Sequence, residues 1–222
     1  MNAMDEPSTI KLNTRNKSGG FSLVEMAIVL AIITLLLGGL LPTLSAQRES
    51  QRISETRKQL NEIKDALYGY AVINGKLPCP ATTSDTSNDN YGEADDACTT
   101  PSSDNYLPWK TLGVSESDAW AGKWLYRVDP AFASSVPITL TTTTSIPLSV
   151  RNTAGSTLTS TIERPIAIIY STGKNLATDG QNGGSFDTTY QSDVPNPNFD
   201  DIMIWISRPQ LFNRMIAAGK LP

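Results

Sequence analysis

GGFSLVEMAIVLAIITLLLGGLLP, residues 19–42, is the stretch around which the chain reads most clearly. It is apolar enough to cross a bilayer, yet it carries one carboxylate, Glu25, four residues past Phe21. As a helix, residues 21–41 would span about 31 Å, close to the hydrocarbon thickness of a membrane. The leader before it holds Lys11, Arg15 and Lys17, which outweigh Asp5 and Glu6. That excess keeps the N-terminus cytoplasmic and puts everything after Leu41 on the far side of the membrane. A secretory signal peptide would be cut behind small residues after the apolar run, and Leu44-Ser45-Ala46 is a poor imitation of such a site. The natural break lies before the run, at Gly20–Phe21, where two glycines leave the backbone extended and open to a protease.

Glu25 needs a partner or an exit. A carboxylate in the middle of a membrane helix costs about 2.5–3.5 kcal/mol on insertion scales. Cleavage after Gly20 would create an amino group at Phe21, able to neutralise Glu25 of the same chain or of a neighbour. The second pairing makes helices associate with a defined axial stagger. Alternatively, Glu25 snorkels out to the interface from a single anchor. The residues alone leave these readings open.

The run GGFSLVEMAIVLAII resembles the class III leader and N-terminal segment of type IV prepilins and type II secretion pseudopilins. The resemblance implies cutting by a prepilin peptidase after Gly20 and methylation of the new N-terminus at Phe21. It implies that Glu25 guides assembly by pairing with a neighbour's N-terminus, and it puts Pro42 at the family's usual place. It covers about a tenth of the chain, with a specific pattern: glycine, aromatic, serine, two aliphatics, glutamate, then an unbroken apolar run.

Composition narrows the remaining possibilities. Of 222 residues, 39% are hydrophobic and 18% charged, which leaves one domain of ordinary size beyond the apolar run. The net charge of −4 argues against nucleic-acid binding through bulk charge. Histidine is absent, which removes histidine-based nucleophile pairs, general bases and metal ligands. A hydrolase would need a Ser–Lys or paired-carboxylate site, and no motif for either emerges.

Gly38 and Gly39 weaken the helix just before Pro42, which has no amide proton to donate, so a bend is expected there. In an assembled filament, the resemblance implies unwinding between these glycines and Pro42. The helical pattern then resumes, with Ile53, Leu60, Ile63, Leu67 and Tyr70 on one face and charged residues on the others. That stripe is expected to pack on the chain's own globular domain. Asn74-Gly75 ends the helix, and Pro78 and Pro80 prevent its return. One helix of roughly 50 residues, about 75–80 Å long, results.

Beyond it, Cys79 and Cys98 bracket a polar loop rich in Asn, Asp, Ser and Gly, which reads as exposed. Two cysteines in an oxidising compartment predict one disulfide. Asp85, Asp89, Glu93, Asp95 and Asp96 lack the D-x-D-x-D-G spacing of a calcium loop and read as a solvated surface. Trp109, Trp120, Trp124, Tyr126 and Phe132 are expected in the core, with Trp124, Tyr126 and Val128 on the dry face of a strand whose Leu125–Arg127 side is wetter. Residues 137–162 read as a hairpin around a turn at 152–155, with Pro147 confined to an edge. The runs 166–170 and 202–206 are apolar on both faces and are expected to be central strands.

Between those strands, Gly173-Lys174-Asn175 lacks P-loop spacing, so nucleotide binding is not expected. This loop resembles the one before the last strand of pseudopilins, which binds calcium in the major pseudopilin. Asp179, Asp187, Asp193, Asp200 and Asp201 supply hard oxygen ligands, although their spacing differs from the compact family loop. Ser207 then caps a last helix with Pro209 near its start, Leu211, Phe212, Met215 and Ile216 inside, and Gly219 at its end.

The sequence therefore predicts an α+β, pilin-like fold: a long helix with an antiparallel sheet on its second half. It divides into a leader (1–20), a transmembrane and assembly helix (21–42), its amphipathic continuation (43–74) and a periplasmic globular domain (75–222). The implied role is a non-enzymatic subunit, a minor one, of a type IV pilus or secretion pseudopilus, starting as a single-pass protein of the bacterial inner membrane. Expected partners are prepilin peptidase, other pilin or pseudopilin subunits and the membrane, with no nucleic acid. No cofactor is expected, calcium being the one that the residues could hold. Two other classes compete: a pilin-like ligand-binding protein at a filament tip, for DNA uptake or adhesion, and a membrane-anchored hydrolase.

Overall fold

Helical sequence from Leu23 to Asn74 forms α1 (Leu23–Asn74) in the computed structural model, which describes residues 20–95, 98, 105–134, 136–183 and 188–222, and of these all side chains except 37–44. Lys11, Arg15 and Lys17 therefore lie outside the described residues, as do Asp96 and Asp187. At the predicted joint α1 is uninterrupted through Gly38, Gly39 and Pro42, since a proline removes one helical hydrogen bond while the turns on either side keep theirs. Gly75, with φ of 72°, ends the helix as expected, its N–H donating to Ala71 O at 2.8 Å.

The chain falls into two units, Met1–Gln47 and Arg48–Pro222. In the first, α1 exposes its large apolar side chains, among them Leu23, Leu30, Ile32 and Leu35. Among the described residues no helix is long and apolar enough to cross a membrane; the predicted span includes residues 37–41, whose side chains lie outside that description.

In the second unit the amphipathic part of α1 buries Leu60, Ile63, Leu67, Tyr68 and Ala71. Tyr70, placed on this face by the sequence pattern, is only half-buried. Ala71, about 40° around the helix from Leu67, lies nearer the centre of the face than Tyr70 at about 60°. Against this face lies a four-stranded antiparallel sheet in the order β1 (Asn105–Tyr106), β2 (Leu125–Val128), β4 (Pro165–Ser171), β6 (Ile202–Ser207). Alternation divides the side chains. Trp124, Tyr126, Val128, Ile166, Ile169, Ile202 and Ile206 join the helix in one core with Phe132. Two short helices, α2 (Trp109–Leu112) and α3 (Pro130–Ala133), flank β2, and Asp129 caps α3 by accepting from Ala131 N at 3.0 Å.

The opposite face is not left to solvent. A two-stranded parallel ribbon, β3 (Ser149–Arg151) with β5 (Thr189–Gln191), covers it. Leu148, Val150 and Tyr190 from this layer close on Ile168 and Tyr170 as a second core, with Leu125, Met203 and Trp205 at its margin. This corrects two expectations. Arg127 is 3% exposed rather than wet, and its Nη1 donates to Tyr190 Oη at 3.2 Å. The turn at 152–155 does form, with Gly155 N donating to Asn152 O at 2.9 Å, but only one bridge, Arg151 to Thr157, follows it. The main partner of β3 is β5, some forty residues later, a pairing that buries Val150 and Tyr190 together on the sheet, while Leu158 and Ile162 stay exposed.

β4 is central and wholly buried. β6 is not central: it is the outer strand, and Met203, Ile204 and Trp205 are only half-buried. Its apolar residues are used by two cores, one on each face, so an edge strand reads like a central one.

Cys79 and Cys98 form the predicted disulfide, with Cα atoms 5.3 Å apart. The bracketed loop is anchored by Tyr91, buried edge-on against Trp109 at 5.9 Å between ring centres. Gly92 beside it has φ of 74°, and a Cβ there would overlap the Trp109 indole. The last helix, α4 (Arg208–Ala217), starts as expected, with Ser207 N donating to Gln210 Oε1 at 3.3 Å. Leu211, Phe212 and Met215 are buried, whereas Ile216 is 45% exposed and does not belong to the inner face.

Candidate functional site

Two groups of sequence-predicted residues could carry function. The first precedes and opens α1. Gly20 lies before the helix in open space, with no atom within 4 Å of where a Cβ would stand. Phe21 beside it is 80% exposed. Ser22 closes the helix end: its Oγ accepts from Val24 N at 3.3 Å and its carbonyl from Met26 N at 3.1 Å. Glu25 sits in the first turn, exposed, where the unpaired N–H groups and the helix dipole favour negative charge. The segment therefore presents an accessible Gly20–Phe21 bond one residue before a capped helix with an exposed carboxylate. Sequence reasoning used Glu25 and overlooked Ser22, although Ser-x-x-Glu is the spacing of a capping box.

The second group is a carboxylate cluster at the start of β6. Asp179, Asp200 and Asp201 present oxygens that all lie within 4.8 Å of one another. Three pieces of chain are tied together here. Asp200 N donates to Asp179 Oδ2 at 2.8 Å, and Asp179 N donates to Asp201 Oδ2 at 2.9 Å. Lys174 N and Asn175 N both donate to Asp200 Oδ2, at 2.9 and 3.0 Å. Asn182, in the short 3-10 turn Gly180–Gly183, donates to Asp201 Oδ2 at 2.8 Å and to Gln191 O at 3.0 Å. Its own Oδ1 accepts from Gln191 N at 2.8 Å, which locks the cluster to β5.

The remaining oxygens set this cluster apart from a solvated acidic loop. Asp201 is 1% exposed, and Oδ1 of both Asp200 and Asp201 is buried without a hydrogen-bond partner. Burial pushes the Asp201 carboxyl up to about 6, and burial, opposed in part by Asn175 N–H, also raises Asp200. Buried, orphaned carboxylate oxygens cost free energy unless a proton or a cation meets them. Backbone shape supports the arrangement: Gly173 has φ of 61°, and a Cβ there would overlap the Asp200 backbone. Gly173 N donates to Ser171 Oγ at 3.0 Å, and Ser171 Oγ in turn donates to buried Asp118.

Not every predicted ligand arrives. Asp193 turns away and accepts from Thr153 N at 3.0 Å and from the Thr153 hydroxyl, which lowers its pKa. Asp187 lies outside the described residues. The roles of Asn182 and Asp118 had no signal in the sequence, because both depend on contacts between distant segments.

The chain's N-terminal segment matches the model of the prokaryotic N-terminal methylation motif over residues 15–41. That match supports a prepilin-type or pseudopilin family protein. No curated protein and no solved structure matches the chain.

Proposed function

We propose that this prepilin-type chain is a structural, non-enzymatic subunit, a minor one, of a type IV pilus or a type II secretion pseudopilus. The observation that carries the reading is the methylation motif over residues 15–41, with Gly20 and Phe21 exposed ahead of a capped helix. Prepilin peptidase cuts after Gly20 and methylates Phe21. The apolar run of 21–42 holds the precursor in the bacterial inner membrane, with the domain after it periplasmic. In the assembled filament Glu25 pairs with the new N-terminus of a neighbouring subunit, an interaction that lipid or a packed helical core strengthens over its value in water. The joint at Gly38, Gly39 and Pro42 is where α1 yields on assembly.

Mass spectrometry of the mature N-terminus should find methylated Phe21. An intact leader, or cleavage beyond Leu41, would refute this function. Glu25→Ala should leave membrane insertion intact and reduce incorporation into filaments; normal incorporation would show that the carboxylate does not guide assembly.

The carboxylate cluster favours an accompanying reading, a calcium site. Asp179, Asp200 and Asp201 would hold the ion, and the orphaned Oδ1 atoms of Asp200 and Asp201 fit a hard divalent cation that prefers oxygen ligands. Its part is structural: it neutralises three carboxylates and fixes the start of β6. Adding calcium to chelator-treated protein should raise its melting temperature by several degrees, more than equimolar magnesium does. An unchanged melt would sink the calcium reading and leave the filament reading untouched.

A further inference from the structure

We infer that Ser22 is a positioning residue for removal of the leader: its hydroxyl takes the amide that a longer α1 would bind to the scissile carbonyl. The inference rests on the proposed cut after Gly20. That cut adds water across the Gly20–Phe21 bond, hydroxyl to the Gly20 carbonyl carbon and hydrogen to the Phe21 nitrogen. The Gly20 carbonyl must therefore be free, and the backbone around it extended, when the peptidase engages it.

A helix that started one turn earlier would remove that freedom. Each helical N–H donates to the carbonyl four residues back, so Leu23 would bond Gly19, Val24 would bond Gly20 and Glu25 would bond Phe21. The middle pairing consumes the scissile carbonyl and winds the bond into the helix. The first N–H groups of any helix lack partners inside it, and near a membrane water meets them less readily, which favours such an extension. Gly19 and Gly20 are poor helix formers and resist the extra turn, but their carbonyls accept as well as any others.

Ser22 supplies the competing partner. Val24 N donates to Ser22 Oγ at 3.3 Å, and Met26 N donates to the Ser22 carbonyl at 3.1 Å as the first bond of the helix. α1 begins at Leu23, and residues 20–22 stay outside it. The hydroxyl holds the Val24 amide only while Ser22 itself is non-helical, so an added turn would cost this bond. The serine thus favours the conformer that a protease can use. No other Ser, Thr, Asn or Asp occurs between Gly20 and Thr34, so the boundary has one side chain to set it. Gly20 and Phe21 are exposed, and no atom lies within 4 Å of where a Gly20 Cβ would stand.

The test follows release of the leader from the full-length precursor in lipid vesicles with purified prepilin peptidase. Ser22→Ala should raise KM about three- to tenfold with kcat nearly unchanged, because only the fraction with residues 20–22 unwound is a substrate. In that variant the carbon-13 shift of the Gly20 carbonyl should move toward helical values, while membrane insertion and the melting temperature of the second unit stay unchanged. Ser22→Asn, Ser22→Thr and Ser22→Gly should each restore cleavage, since all three hold residue 22 at the helix boundary although Asn and Gly have no hydroxyl. A Ser22→Ala precursor cut like wild type, or slowed through kcat alone, overturns the inference and leaves the filament reading standing. Rescue by Thr but not by Asn or Gly also overturns it, because the peptidase would then be reading the hydroxyl itself. Wild type left uncut overturns the filament reading and this inference together.

Discussion

At Asp201 a single carboxylate joins folding to the environment. Its value of about 6 lies above the ordinary 3.8, so between those limits the folded chain holds a proton that the unfolded chain has lost. In chelator, stability is therefore greatest at low pH on this account, falls as pH rises from about 4 to about 6, and levels off above that. Asp201→Asn should flatten the slope, raise the melting temperature at pH 8 in chelator and abolish the response to calcium, all read from melts across pH. A wild-type slope of opposite sign would mean that burial does not dominate at this carboxylate. Gly173→Ala offers a second check. With φ of 61° and the Asp200 backbone in the way, it should cost about 2–4 kcal/mol in denaturant melts and weaken calcium binding as well. Neither residue's importance is visible along the chain, where Asp200-Asp201 is one acidic pair among several and Gly173 one of fifteen glycines.

Among the elements, α1 is the clearest case of one helix with two environments. Leu67, with no exposed surface, packs against the sheet, so Leu67→Ala should destabilise the C-terminal unit by about 2–5 kcal/mol. Leu23, 90% exposed, should change the same denaturant midpoint by less than about 0.5 kcal/mol when replaced by alanine. The disulfide acts on a different element, the loop from Cys79 to Cys98. A separation of 19 residues predicts a loss of about 3 kcal/mol for the Cys79→Ser, Cys98→Ser double variant, measured by denaturant melts. Helix ends, the disulfide and the central position of β4 were legible because each has a local signature: a glycine after a periodic run, a pair of cysteines, a short wholly apolar run. The position of β6 was not. An edge strand sandwiched between two cores carries the same alternation-free pattern as a central one, and only the count of neighbours distinguishes them.

For the whole molecule, the second unit contains both hydrophobic cores, assembled from residues between Leu60 and Leu221. A fragment beginning at Arg48 should therefore fold cooperatively by itself, with a melting temperature within a few degrees of that unit in the full chain. A fragment that stays unfolded would show that the first unit contributes to the core. Function divides along the same line. Gly20, Phe21 and Glu25, the residues proposed for processing and assembly, belong to the first unit, and the carboxylate cluster of Asp179, Asp200 and Asp201 belongs to the second.

Residues 19–42 could be read without any tertiary context because their chemistry is local: a peptide bond between a glycine and an aromatic, a charge in an apolar run, a length matched to a bilayer. Hydrophobic periodicity likewise placed the sheet-bearing half of α1, since a helix face repeats every 3.6 residues whatever it packs against. The parallel ribbon over the sheet's far face, the burial of Arg127 and the meeting of Asp179 with Asp200 and Asp201 had no such signal. Each brings together segments some twenty to sixty residues apart, and such pairings are selected by the area they bury and the polar groups they satisfy once the chain has closed on itself.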